Sequence, residues 1–147
     1  MRGGDEEGQP QFADDWERLA NEKRRAAEIL FRSRQFGSAY YEAGIALECM
    51  LKAKIMRKEG LNIWPDRSCR KDLYTHDLAR LLKLAGLHDR MVAEAKKVTD
   101  IGIAWSVAKQ WTVDARYARK VRLRDARDIV EAVSPTGKGL LKWIISV

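Results

Sequence analysis

The chain is poor in the residues that crosslink a fold or hold a metal, with two cysteines and two histidines among 147 residues. Cys49 and Cys69 are too few for a disulfide framework and stand at no metal-ligand spacing. Neither a stapled secreted fold nor a zinc site is expected, and the reading is a reduced, cytoplasmic setting without cofactor. No run approaches ~18 uncharged apolar residues, which excludes a membrane-spanning helix. Residues 1–11 are polar and acidic with no apolar stretch, unlike a secretory signal. No G-x-S-x-G, H-E-x-x-H or G-x-G-x-x-G occurs. Thr136-Gly137-Lys138-Gly139 looks like a piece of a phosphate loop. However, Ala132 stands where the first glycine is required, Gly139 where Ser or Thr is required, and no strand precedes it.

What the chain does have is positive charge and enough apolar material for one core. It carries 28 Lys+Arg against 21 Asp+Glu, a net +7, and 46% of its residues are hydrophobic. The charge is unevenly placed. Residues 1–15 hold one base, Arg2, and five acids; taking these away leaves 27 basic against 16 acidic residues, a net of +11. Residues 1–14 therefore read as a disordered acidic leader, and residues 15–147 as one folded, basic unit. Such a charge suits nucleic acid or phosphate without proving either.

The body has helical periodicity and no strand alternation, so the expected fold is an all-α bundle of about five helices. A first helix is predicted over 15–35, capped by Asp14 or Asp15, with Trp16, Leu19, Ala26, Ala27 and Leu30 inward. A second is predicted over 39–59 with Ser38 as its cap. Tyr40, Gly44, Leu47, Leu51 and Ile55 form one buried stripe, and Gly60 is the stop. After a loop over 61–75, Thr75 is expected to cap a short helix ended by Gly86. One further helix is expected over 88–108. The last long one begins near Arg116, with Leu123, Ala126, Val130 and Val133 inward. Pro135, with Ser134 as cap, opens a final short helix.

Three places could carry chemistry. If Arg116 is helical, Arg116, Lys120, Arg124 and Arg127 fall at i, i+4, i+8 and i+11 and form a basic stripe that Arg119 and Arg122 widen. Planar, permanently charged guanidinium groups suit phosphate oxygens. Glu48 lies at the margin of the buried stripe, four residues before Lys52. A carboxylate there needs a cation, and Arg116 is the expected partner that Glu48 orients. His76 precedes Asp77 at the start of the short helix and can titrate near neutral pH. Cys69, between Arg67 and Arg70, is the more thiolate-prone of the two cysteines.

The order of motifs resembles a known family. Ser38-Ala39-Tyr40-Tyr41-Glu42-Ala43-Gly44-Ile45-Ala46-Leu47-Glu48-Cys49-Met50-Leu51-Lys52-Ala53 is similar to the second-helix signature of the HEPN domain, the higher eukaryotes and prokaryotes nucleotide-binding family. Thr75-His76-Asp77-Leu78, followed by Leu81-Leu82, matches its T-H-D-L element. Trp111, Arg116-Tyr117 and the ending Leu141-Lys142-Trp143-Ile144 look like its C-terminal part. The resemblance implies an up-and-down four- or five-helix bundle and a homodimer. It implies RNA or nucleotide binding, and a partner of minimal nucleotidyltransferase fold in a toxin–antitoxin or defence pair. Ribonuclease members use an Arg, four to six residues and a His, without metal. Here Arg116 is followed by no such His; Arg70 and His76 meet the spacing, but at another place in the chain. The implied site is thus Arg116 and His76 for catalysis, with Arg116, Tyr117, Lys120, Arg124 and Arg127 for phosphate. The alternatives are a metal-independent ribonuclease toxin and a non-catalytic protein-interaction module.

Overall fold

The computed structural model describes residues 8–117 and 120–147. Among these, every regular element is helical: α1 (Ala13–Arg32), α2 (Phe36–Glu59), α3 (Leu78–Leu84), α4 (His88–Lys97), α5 (Asp100–Ala108), α6 (Leu123–Val133) and α7 (Leu140–Ser146). Two 3-10 turns, Lys71–Leu73 and Val113–Tyr117, lie in the connections. Among the described residues, no helix is long and apolar enough to cross a membrane. The all-α expectation is met, with more and shorter helices than the five expected.

The bundle is organised around α2. It packs against α1, α3, α6, α7 and the 3-10 turn Val113–Tyr117. Its predicted single stripe is too narrow, because Ala39, Ala43, Ala46, Cys49, Met50, Ala53 and Met56 are buried as well. A helix apolar on all sides is a central one. Gly60 ends α2 in the left-handed region at φ 68°, as a C-terminal glycine does. The helix starts at Phe36 rather than after Ser38, so Ser38 lies in its first turn and caps nothing. Burial among these apolar groups, with the Glu48 charge adding to it, pushes the Cys49 thiol up to about 12. That residue is an inert hydrophobe, while Cys69 is exposed.

Helix α1 lies antiparallel to α2 and buries Trp16, Ala20 and Ala27. It begins at Ala13, so Asp14 sits in its first turn and, with Glu17, grips Arg57 at the far end of α2 (2.8 and 2.6 Å). The Gln11 carbonyl also accepts from Trp64 N–H. The remainder of the expected leader, residues 1–7, lies outside the described residues.

The single helix expected over 88–108 is two. Val98 turns the chain in the left-handed region (φ 54°), and the Thr99 hydroxyl accepts from Gly102 N–H to cap α5. Gly102 then lies directly on the backbone of Glu94 and Ala95, an approach that any side chain would prevent. The cap of α3 is Asp77 rather than Thr75; Thr75 instead accepts from Asp77 N–H. Pro135 opens a turn, not a helix, and α7 follows Gly139 in the left-handed region.

The last long helix starts at Leu123, seven residues later than expected. Arg116 lies in the 3-10 turn, and Arg122 is the extended residue before α6. The physical reason is charge. Cations four residues apart repel along a helix, and cations are disfavoured at a helix N-terminus. Asp125 in the first turn of α6 is where the helix becomes favourable. The single-face basic stripe therefore does not exist: only Arg124 and Arg127 share a helix, and Lys120 stands in a non-helical segment.

Candidate functional site

Two groups of chemically capable residues lie along α2. The first is at its N-terminus. The chain leaves α1 through Ser33 and turns at Arg34, whose φ of 63° places a non-glycine residue in the left-handed region. The first turn of α2 contains no acid, and no side chain caps it. The N–H groups at the start of a helix have no acceptor within the helix and carry its positive partial charge. Arg34, Gly37, Ser38, Tyr41 and Arg116 line a cleft of about 320 Å³ at this helix end. Its one acid, Glu42, faces Lys23 of α1 at 3.1 Å.

Arg116 reaches this cleft because Trp111 anchors the segment before it. Trp111 is buried over Gly44 of α2, and its ring lies 6.1 Å from that of Tyr41. The 3-10 turn that follows carries Arg116 over the face of Tyr117, 4.7 Å from the ring centre. Tyr117 is 71% exposed. Arg116, Lys120, Arg122 and Arg124 are exposed and make no ion pair among the described residues, whereas Arg127 faces Asp128 at 3.5 Å. Arg119 lies outside the described residues. The basic residues therefore stand on separate elements: Arg116 in the 3-10 turn, Lys120 and Arg122 before α6, and Arg124 and Arg127 on it. Tyr40 carries a hydroxyl whose pKa is raised, first by burial and then by the charge of Asp125 on α6.

The second group is centred on Glu48. Its partner is not Arg116. One carboxylate oxygen accepts from Lys52 at 2.9 Å, and the other lies 2.7 Å from His76 Nδ1. Both members of the Glu48–Lys52 pair are buried, with side-chain exposures of 7% and 6%. The Lys52 ammonium lies 5.0 Å from the ring of Trp16 and 5.6 Å from that of Trp64. Two aromatic faces stabilise a desolvated cation by about 2 kcal/mol. Burial raises the Glu48 pKa, but the hydrogen bond from His76 and the charge of Lys52 outweigh it, so the carboxyl is held below its usual 4.5. An ionised Glu48 can only accept, so His76 Nδ1 donates in this contact and Nε2 is the ring nitrogen left without a part in it. With 57% of the His76 side chain exposed, the ring is held on one side and open on the other.

Arg70, which meets the family spacing with His76, is already committed. It bonds Glu59 at 2.7 Å and Asp72 at 2.9 Å. It clamps the loop to the end of α2 and has no free edge for phosphate. Sequence reasoning missed Arg34 and the aromatic box around Lys52. The local pattern carries no signal for Arg34: it stands three residues before the Gly37-Ser38 break, and only the meeting of α1 and α2 places it at the cleft.

No family model, curated protein or solved structure matches the chain. The geometry itself therefore carries the functional argument.

Proposed function

We propose that this chain is a HEPN-like RNA- or nucleotide-binding protein that takes up phosphate at the N-terminus of α2. The observation that carries this reading is the cleft in which Arg34 and Arg116 flank an uncapped helix start free of acid in its first turn. Helix N-termini and arginine forks are both suited to phosphate oxygens. Tyr117, Lys120 and Arg124 extend the same positive surface, and the exposed Tyr117 ring can stack on a base. The reading includes a cytoplasmic homodimer with a partner of nucleotidyltransferase fold.

Arg34 provides a sharp test. A non-glycine residue in the left-handed region costs roughly 1 kcal/mol. Arg34→Gly is therefore expected to melt at the same temperature or slightly higher, yet to bind a labelled single-stranded RNA more weakly, with a salt slope shallower by about 0.7. Unchanged RNA affinity in Arg34→Gly and in Arg116→Ala sinks the reading.

A second reading is favoured by the Glu48–His76 contact. A carboxylate-oriented imidazole is a competent general base: it takes the proton of an RNA 2′-hydroxyl as that oxygen attacks the adjacent 3′-phosphate, the bond from phosphorus to the 5′-oxygen of the next nucleotide breaks, and that oxygen leaves with a proton from water. Cleavage of single-stranded RNA in the presence of a chelator, lost in His76→Ala, is the expected result of this activity. Intact RNA after prolonged incubation with wild-type protein excludes it and leaves binding alone.

A further inference from the structure

We propose that the groove between α3, α4 and α5 binds a small apolar carboxylate, of the class of medium-chain alkanoates. This inference is independent of the RNA reading. The groove encloses about 340 Å³, within the range of small-ligand pockets. Its floor is Leu82, Met91 and Trp105, which are 2%, 2% and 8% exposed. They form a recess rather than a flat apolar patch. Ala79 and Val92 stand on its sides, and the small Ala79 leaves the entrance wide.

The polar groups around this floor are all of one kind. Lys83 comes from α3, His88 from the start of α4 and Lys109 from just beyond α5; no acid lines the groove. All three are exposed, and none makes an ion pair among the described residues. Many of the other cations are paired: Lys23 with Glu42, Arg24 with Glu28, Arg57 with Asp14 and Glu17. An apolar recess edged by two unpaired lysines, one from α3 and one from just beyond α5, complements a ligand with an apolar body and one negative end. A nucleotide does not fit this description, since its polar base and sugar would lie on Leu82 and Met91. A cationic amphiphile has the right body and the wrong charge.

The probe is decanoate, titrated into the full chain calorimetrically, with decylammonium as its charge-reversed counterpart. The expected result is saturable binding of decanoate with a dissociation constant on the order of 0.1 mM, and at least tenfold weaker binding of decylammonium. The exposed double substitution Lys83→Glu/Lys109→Glu should lower decanoate affinity at least tenfold. Ala79→Leu, which fills the groove from an exposed position, should abolish it, with the melting temperature of each variant confirming the fold. Arg116→Glu should leave it unchanged, which separates this groove from the cleft on α2. Absence of saturation up to millimolar decanoate, equal affinity for the two amphiphiles, or full affinity in Ala79→Leu overturns the proposal.

Discussion

Glu48→Ala is expected to destabilise the protein by about 3–5 kcal/mol, because it leaves the Lys52 ammonium buried without its counter-ion. At this chain length the melting temperature falls by roughly 10 °C. The aromatic faces of Trp16 and Trp64 stabilise the cation but cannot accept its N–H groups. Glu48→Leu combined with Lys52→Met removes both charges and keeps the volume, and should recover most of the loss. His76→Ala should cost far less, since that ring is mostly in solvent. The Glu48 pKa lies below its ordinary 4.5 in the fold. Its contribution is therefore complete above about pH 4.5 and disappears as the pH falls through the lower, folded value. Urea midpoints of wild type and Glu48→Ala should thus differ widely at pH 7 and converge in acid. A gap that stays constant down to pH 3 would contradict an ionised Glu48.

Gly44→Leu carries the second large effect. A glycine in a helix interior ordinarily costs about 1 kcal/mol against alanine, so replacing it should help. Here any Cβ would run into the indole of Trp111. Leucine must push a buried tryptophan off α2, with an expected loss of about 3 kcal/mol. The consequence extends to the cleft, because Trp111 sets the start of the turn that carries Arg116. Gly44→Leu should therefore lose RNA affinity at temperatures where the chain remains folded. Trp111→Ala in the same background should remove the clash and return part of the stability without returning the affinity. If Gly44→Leu is as stable as wild type by thermal melting, Trp111 does not anchor this segment.

The coarse architecture was legible because apolar spacing reports burial directly. Gly60 and Gly86 marked helix ends in the sequence, and both have positive φ. The break at Val98 was hidden, because a valine in the left-handed region has no compositional signature, and only the cap from Thr99 hints at it. The late start of α6 was legible in principle: like charges at i, i+4 argue against a helix through Arg116 and Lys120. The partner of Glu48 was the nearer one. A carboxylate four residues before a lysine reads as a surface pair, and what buries this one is Trp16 from α1 and Trp64 from a loop. Neither is visible in the local pattern. Arg34 was missed for the same reason, since its importance lies in where two helices meet.

Unpaired positive charge gathers at the cleft of Arg34 and Arg116 and recurs at Lys120, Arg122 and Arg124. That is the claim to test. The most direct measurement is the affinity for a short single-stranded RNA as a function of salt, in wild type and in Arg34→Glu/Arg116→Glu. Contacts to about three to five phosphates predict a slope of log affinity against log salt of about −2 to −3.5 for wild type, and a slope shallower by about 1.4 for the double variant. A flat salt dependence, or identical slopes for the two proteins, would contradict it.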